Sequence, residues 1–172
     1  MCALRIGEVT PRDAQRAKVY AAEEFVRTMF DRAGERGNRV VEFFGTQLTL
    51  PPEGRFASAV TVQRYVDDVL AHAAVRARWP EVGPLTVRAR RGATAAHYER
   101  SDNGATIAVP DRHSTWALRE LVVLHEIAHH FSDALPPHGP EFVATFCDLA
   151  EAVMGPEVAH VLRVVYAKEG VR

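Results

Sequence analysis

The chain has 172 residues, enough for one domain with a real core. Apolar residues make up 47 %, charged residues 25 %, and the formal net charge is −1, so there is no charge excess of the kind that drives bulk binding to nucleic acid or a membrane. Two cysteines, Cys2 and Cys147, are too few for a disulfide framework. No apolar run approaches membrane-spanning length, and Met1–Glu8 lacks the apolar stretch of a secretory signal, so a cytoplasmic protein with no membrane partner is expected.

Residues 11–33 are predicted as a helix opened by Pro11 and closed by Gly34 and Gly37. Val19, Ala22, Val26, Met29 and Ala33 share one face, and Tyr20, Phe25 and Phe30 are expected to pack in the core. Two short strands, 39–44 and 46–50, flank Gly45, and Pro51-Pro52-Glu53-Gly54 turns the chain. A second helix over 59–78 buries Val62, Tyr65, Val66, Val69, Ala73 and Ala77, and Trp79-Pro80 closes it. In 85–90, Leu85, Val87 and Ala89 alternate with Thr86, Arg88 and Arg90, as in a half-buried strand. Arg76, Arg78, Arg88, Arg90 and Arg91 are the only basic concentration; they read as a solvated face, with a nucleic-acid or acidic-partner patch as the alternative. Residues 95–100 and 105–109 are predicted to form a hairpin, because Asn103-Gly104 favours a tight turn.

The next helix carries the chemistry. Ser114 is a suitable N-cap, and the run after it contains neither Gly nor Pro. Leu118, Leu121, Val122, His125 and His129 recur at three- and four-residue spacing, so the two histidines continue the apolar stripe and point inward. His125-Glu126-Ile127-Ala128-His129 has the form H-E-x-x-H. Residues i and i+4 of a helix share a face, so both imidazoles can reach one ion, and Zn²⁺ suits two neutral imidazoles. Glu126, on the same turn, can hold a water on the open side of that ion and take its proton. The competing structural explanation is a pair of core histidines satisfied by hydrogen bonds.

A catalytic zinc usually has three protein ligands. Pro136 and Pro137 end the helix near Ser132, and His138 then precedes Gly139-Pro140-Glu141, which opens another helix. His138 is the preferred third ligand, beside two carboxylate alternatives. Glu141 has an ordinary reason to sit in a first helical turn. Glu151 points about 180° away from the Phe142, Phe146, Leu149 and Val153 stripe. His130 lies about 100° round the helix from His129, off the ligand face. His97 and Tyr98 on the hairpin are weighed as donors to a developing oxyanion, with a surface or packing role favoured for them and for His113. A last amphipathic helix follows Gly155-Pro156-Glu157 and buries Val158, Val161, Leu162 and Val165; Cys147 is expected to be packed, and Tyr166 could approach the site, though nothing in the sequence requires it.

With His125-Glu126-x-x-His129 followed by His138-Gly139-Pro140-Glu141-Phe142, the chain resembles the SprT-like (Spartan-type) zinc metalloproteases. The resemblance implies that His125, His129 and His138 bind zinc and that Glu126 is the catalytic base. The loop between the second and third histidines is shorter here, and no cysteine-rich zinc ribbon follows, so a role in repairing DNA–protein crosslinks is not implied. A longer resemblance is to a small family of actinobacterial metallohydrolases of unassigned substrate. It extends to Asp13-Ala14-Gln15-Arg16, Val19-Tyr20 and Met154-Gly155-Pro156-Glu157.

The expectation is therefore one α+β, zincin-like domain over residues 1–172, holding Zn²⁺ on His125, His129 and His138 and acting as a metallopeptidase on a peptide or protein substrate. The alternative is a catalytically silent, zinc-stabilised module that binds protein or nucleic acid.

Overall fold

The computed structural model describes residues 12–92, 95–111 and 117–172. Pro11, His113 and Ser114, with the expectations attached to them, lie outside that set, as do Met1–Glu8. The described residues form a mixed α+β structure of six helices and two small sheets: α1 Arg16–Glu35, β1 Val40–Phe43, β2 Thr46–Thr49, α2 Ala59–Ala71, α3 Ala73–Arg78, β3 Leu85–Arg90, β4 His97–Ser101, β5 Gly104–Pro110, α4 Glu120–Phe131, α5 Pro140–Met154 and α6 Pro156–Lys168. None of these helices is long and apolar enough to cross a membrane.

β1 and β2 form a separate antiparallel hairpin. The larger sheet has the order β3-β5-β4, with β5 parallel to β3 and antiparallel to β4. Ile107, Ala108 and Val109 are buried in succession because central β5 is covered on both faces. β4 is left at the edge beside α4. The hairpin turn falls on Asp102-Asn103, with Ser101 paired to Gly104, and Gly104 (φ 122°) supplies the positive φ that closes it. The predicted hairpin is present, shifted by one residue.

α1 buries Val19, Ala22, Val26, Phe30 and Ala33. Tyr20 and Phe25 do not join the core; they are 38 % and 48 % exposed. At 100° per residue they sit roughly 100–120° to either side of that stripe. The fourth inward residue type was not expected: Glu23 is buried among the apolar side chains.

The segment 59–78 is two helices. Ser58 caps α2 through Thr61 in a reciprocal pair of hydrogen bonds, as a helix start requires. His72 then turns extended (φ −60°, ψ 130°) and α3 begins. Trp79 stacks on Phe131, ring centroids 4.7 Å apart, bringing the end of α3 against the end of α4.

α4 begins at Glu120, later than the apolar periodicity suggests. Arg119 is extended (φ −131°, ψ 153°), and the segment 118–120 pairs with 54–56: Phe56 N–H donates to Leu118 O, Glu120 N–H donates to Gly54 O, and Arg55 bridges Arg119. That pairing keeps Leu118 and Arg119 out of the helix. Glu53 then serves the helix start, its Oε1 accepting from Leu121 N–H at 3.3 Å. At the other end α4 stops at Ser132, as the two prolines require. α5 and α6 pack behind it, with Phe142, Phe146, Leu149, Val158, Val161, Leu162 and Tyr166 buried. Gly155 (φ 105°) makes the corner between these two helices, where a side chain would be strained.

Candidate metal centre

His125 and His129 lie one turn apart on α4, and the α4–α5 loop returns His138 to the same point. Gly139 permits the return: a Cβ there would stand 3.0 Å from the Pro136 carbonyl oxygen, which accepts from Gly139 N–H at 2.8 Å. His125 Nε2 is 3.2 Å from His129 Nε2 and 3.4 Å from His138 Nε2. Among the described residues this is the one group of three ligand-type side chains whose donor atoms lie within 4.8 Å of one another. Glu141 is exposed and takes no part. Glu151 is also exposed and pairs with Arg163 at 2.7 Å, so its predicted outward direction is observed.

The donors fit a tetrahedral ion. Ligands about 2.0–2.1 Å from zinc at tetrahedral angles lie about 3.3–3.4 Å from each other, and the observed spacings bracket that value. Two of the three rings are backed by a carboxylate. His125 Nδ1 is 2.9 Å from Glu23 Oε1, and His138 Nδ1 is 2.7 Å from Asp13 Oδ2. A neutral imidazole that donates Nδ1–H to a carboxylate presents a lone pair at Nε2. Two such lone pairs face each other at 3.4 Å across His125 and His138. They repel unless a proton on one ring or a metal ion between them intervenes.

Electrostatics favour neutral rings at two of the three positions. His129 is desolvated and sits beside two other imidazoles, which pushes its pKa down to about 2. Burial also lowers His138, outweighing its hydrogen bond to Asp13. Burial acts downward on His125 as well, but the adjacent Glu23 carboxylate outweighs it and raises the imidazole above its ordinary value. Glu23 has the opposite balance. Burial raises it, and His125, Tyr166 and Arg27 together bring it below the carboxylate range.

Glu126 is 7 % exposed and lines the same cavity, whose volume is about 1050 Å³. Its Oε2 accepts from Tyr98 N–H at 2.8 Å, so edge strand β4 fixes the carboxylate. Burial raises its pKa, partly offset by His125 and by that backbone donor. A carboxylate of raised pKa next to a triad of imidazoles is suited to accept a proton near neutral pH.

The remaining candidates divide. His130 is off the ligand face: its Nε2 reaches Gly83 O at 2.9 Å and its Nδ1 lies 3.1 Å from Tyr98 Oη. It fastens α4 to β4 and to the α3–β3 loop. His97 lines the cavity, exposed. Tyr166 does not enter the cavity; it is buried and its hydroxyl donates to Glu23. Cys147 is buried, and burial lifts its thiol to about 12, which leaves it inert. In the arginine group, Arg78 pairs with Asp148 and Arg88 with Glu99, while Arg90 lines the cavity.

Sequence reasoning overlooked the N-terminal support of the site. Asp13, Glu23 and Tyr20 all belong to it. Tyr20 stacks on His125 (5.5 Å between centroids, 22°) and leans on His138 at 5.2 Å, so its expected core role is replaced by a place over two imidazoles. A charged residue in the apolar stripe of α1 was the available signal for Glu23. For Asp13 and Tyr20 the available signal was the run Asp13-Ala14-Gln15-Arg16 with Val19-Tyr20, which the longer resemblance already marked.

No protein-family model matches the chain, and no curated protein or solved structure matches it.

Proposed function

We propose that the protein is a zinc-dependent hydrolase of zincin-like architecture, and that its reaction is hydrolysis of peptide bonds. The observation that carries this reading is the convergence of three Nε2 atoms at 3.2 and 3.4 Å beside the Glu126 carboxylate. His125, His129 and His138 would hold the ion. Zinc supplies a Lewis acid that polarises a carbonyl and makes water acidic near neutral pH.

The chain's own residues supply the rest. Glu126, held by Tyr98 N–H, takes the proton from the attacking water and returns it to the leaving amine. Its burial keeps competing water away from the carboxylate. β4 is an edge strand, and an edge can pair with an extended peptide, which suits a peptide substrate lying along the cavity. Tyr20 covers two imidazoles and lines the approach to them.

Metal analysis of the purified protein together with a broad peptide library tests the reading. One zinc per chain and cleavage abolished by chelator are expected. Stoichiometric zinc with no cleavage, and partner binding that survives Glu126→Gln, would point instead to a zinc-stabilised binding module. A purified chain that takes up no zinc would remove the proposal.

A further inference from the structure

Glu23 occupies a place in α1 where an apolar residue would be expected. It stands between Ala22 and Val26 on the buried stripe, with its side chain 5 % exposed. An ionised carboxylate removed from water costs several kcal/mol unless it is fully partnered, and well-packed apolar residues are often as stable. Its partners come from three directions. Oε1 lies 2.9 Å from His125 Nδ1 on α4 and accepts from Tyr166 Oη on α6 at 2.8 Å. Oε2 stands 3.7 Å from Arg27 one turn along α1. Both strong bonds fall on one oxygen, so the Tyr166 hydroxyl fixes where the acceptor for His125 sits.

We infer that Glu23, oriented by Tyr166, is the positioning residue of the metal centre and sets its affinity for zinc. The inference rests on the metal reading above. Glu23 keeps the His125 proton on Nδ1, holds the ring plane, and places the Nε2 lone pair toward His129 and His138. Its negative charge also makes that Nε2 a better donor. Tyr166 touches no ligand; it acts only through Glu23. Two helices distant in sequence thereby join in setting one imbalance of the site, the orientation of its most buried ligand.

The test uses the full chain and zinc alone, with no substrate. Zinc affinity is measured by competition with a chromogenic chelator for wild type, Glu23→Gln, Tyr166→Phe and the double variant. Cobalt absorption reports ligand geometry, and ¹⁵N shifts of His125 in the metal-free protein report its tautomer. Glu23→Gln is expected to weaken zinc by about 10–100-fold, the range for losing a carboxylate behind a metal-bound imidazole. It should also mix the His125 tautomers. Tyr166→Phe is expected to weaken zinc less, and the double variant no more than Glu23→Gln alone, because one residue works through the other. A folded Glu23→Gln with wild-type affinity, cobalt spectrum and tautomer overturns the inference. If Glu23→Gln does not fold, Tyr166→Phe decides: it keeps the carboxylate, and unchanged affinity with an unchanged tautomer overturns the inference equally. Wild type that binds no zinc removes the metal reading itself, a result separate from either of these.

Discussion

α4 and α1 make an instructive pair. α4 carries two imidazoles and the carboxylate in five consecutive residues; α1 and Asp13 just before it carry groups that back the imidazoles, Glu23 behind His125, Asp13 behind His138 and Tyr20 over both. The first set is a local pattern, fixed by 3.6 residues per turn. The second is fixed by how α1 packs on α6 and by the side chains that cross from it to α4. Chemistry that needs several groups on one ion can be written into one helical turn. The hydrogen bonds that orient those groups must come from outside that turn, since the helix's own backbone groups are already paired.

The largest effect should come from the support at the start of α4. Arg119 is 3 % exposed; its Nε donates to Glu53 Oε1 at 2.8 Å, its NH1 to Asp31 at 3.2 Å and its NH2 to Arg27 O at 3.2 Å. Arg119→Ala leaves the buried Glu53 without its main partner. Removing one member of a buried pair costs about 3–5 kcal/mol; Arg55, 3.5 Å from Glu53, should hold the loss near the lower figure. Denaturant unfolding of the metal-free variant measures it. A loss under about 1 kcal/mol, the range of an exposed pair, would show that α4 does not depend on α1 for its start.

Glu126→Gln tests the other member of the pair. It keeps the size and the acceptor for Tyr98 N–H but removes the base. Turnover on any cleaved peptide should fall by at least ~10² with zinc content unchanged. Equal rates for the variant and wild type, with zinc shown in both, would place the chemistry elsewhere.

Much of this was legible in the sequence, and the boundary is physical. The placing of His125, Glu126 and His129 on one turn, the stop at Ser132 and the outward Glu151 follow from helical periodicity and from proline, both local. The start of α4 does not, because the backbone pairing of 54–56 with 118–120 overrides the helical pattern of those residues. The break at His72 has neither Gly nor Pro to announce it. Tyr20 was assigned to the core on its residue type, yet it lies on the flank of the stripe, over imidazoles more than 100 residues away in sequence. Position on the helix was the better guide than hydrophobicity there.

Acid should discriminate among the ligands. In the metal-free protein Glu23 raises His125, whereas burial lowers His129 and His138. The proton therefore competes first at His125, from above the ordinary imidazole value of 6.5. Below the raised pKa the metal-free protein carries a proton there that zinc must displace, so affinity falls about tenfold per pH unit for that one proton. Zinc-dependent stabilisation should shrink in step. The metal-free fold responds oppositely at two of the rings: raised His125 contributes stability that is present below 6.5 and lost as pH rises through its raised pKa, whereas His129, depressed to about 2, contributes stability that is present above 6.5 and lost progressively as pH falls toward the folded value. Calorimetry with and without chelator across this range checks both signs. Zinc stabilisation that stays constant into strong acid would contradict ligation by imidazoles.

Asp13→Asn should give the smallest effect, and it sharpens the comparison most. Asp13 and Glu23 occupy equivalent places behind His138 and His125, at 2.7 and 2.9 Å. Distance alone would rank Asp13 as the stronger support. Environment ranks it lower. The Asp13 side chain is 22 % exposed and that of Glu23 5 %, so solvent screens more of the first charge. Glu23 Oε1 is fixed by Tyr166, whereas Asp13 Oδ1 is buried with no hydrogen-bond partner among the described residues. His138 also has a second restraint, since Gln15 Nε2 donates to its carbonyl oxygen at 2.7 Å. Asp13→Asn and Glu23→Gln each keep an amide oxygen that can accept from the ring Nδ1–H, so the two variants compare the lost charge and its fixing rather than the acceptor itself. Zinc affinity should therefore fall by no more than about tenfold, the low end for such partners, and by less than in Glu23→Gln under the same chelator competition. A larger loss in Asp13→Asn than in Glu23→Gln would reverse the ranking. It would mean that the loop ligand, the one the sequence left open to alternatives, is where the site's affinity is decided.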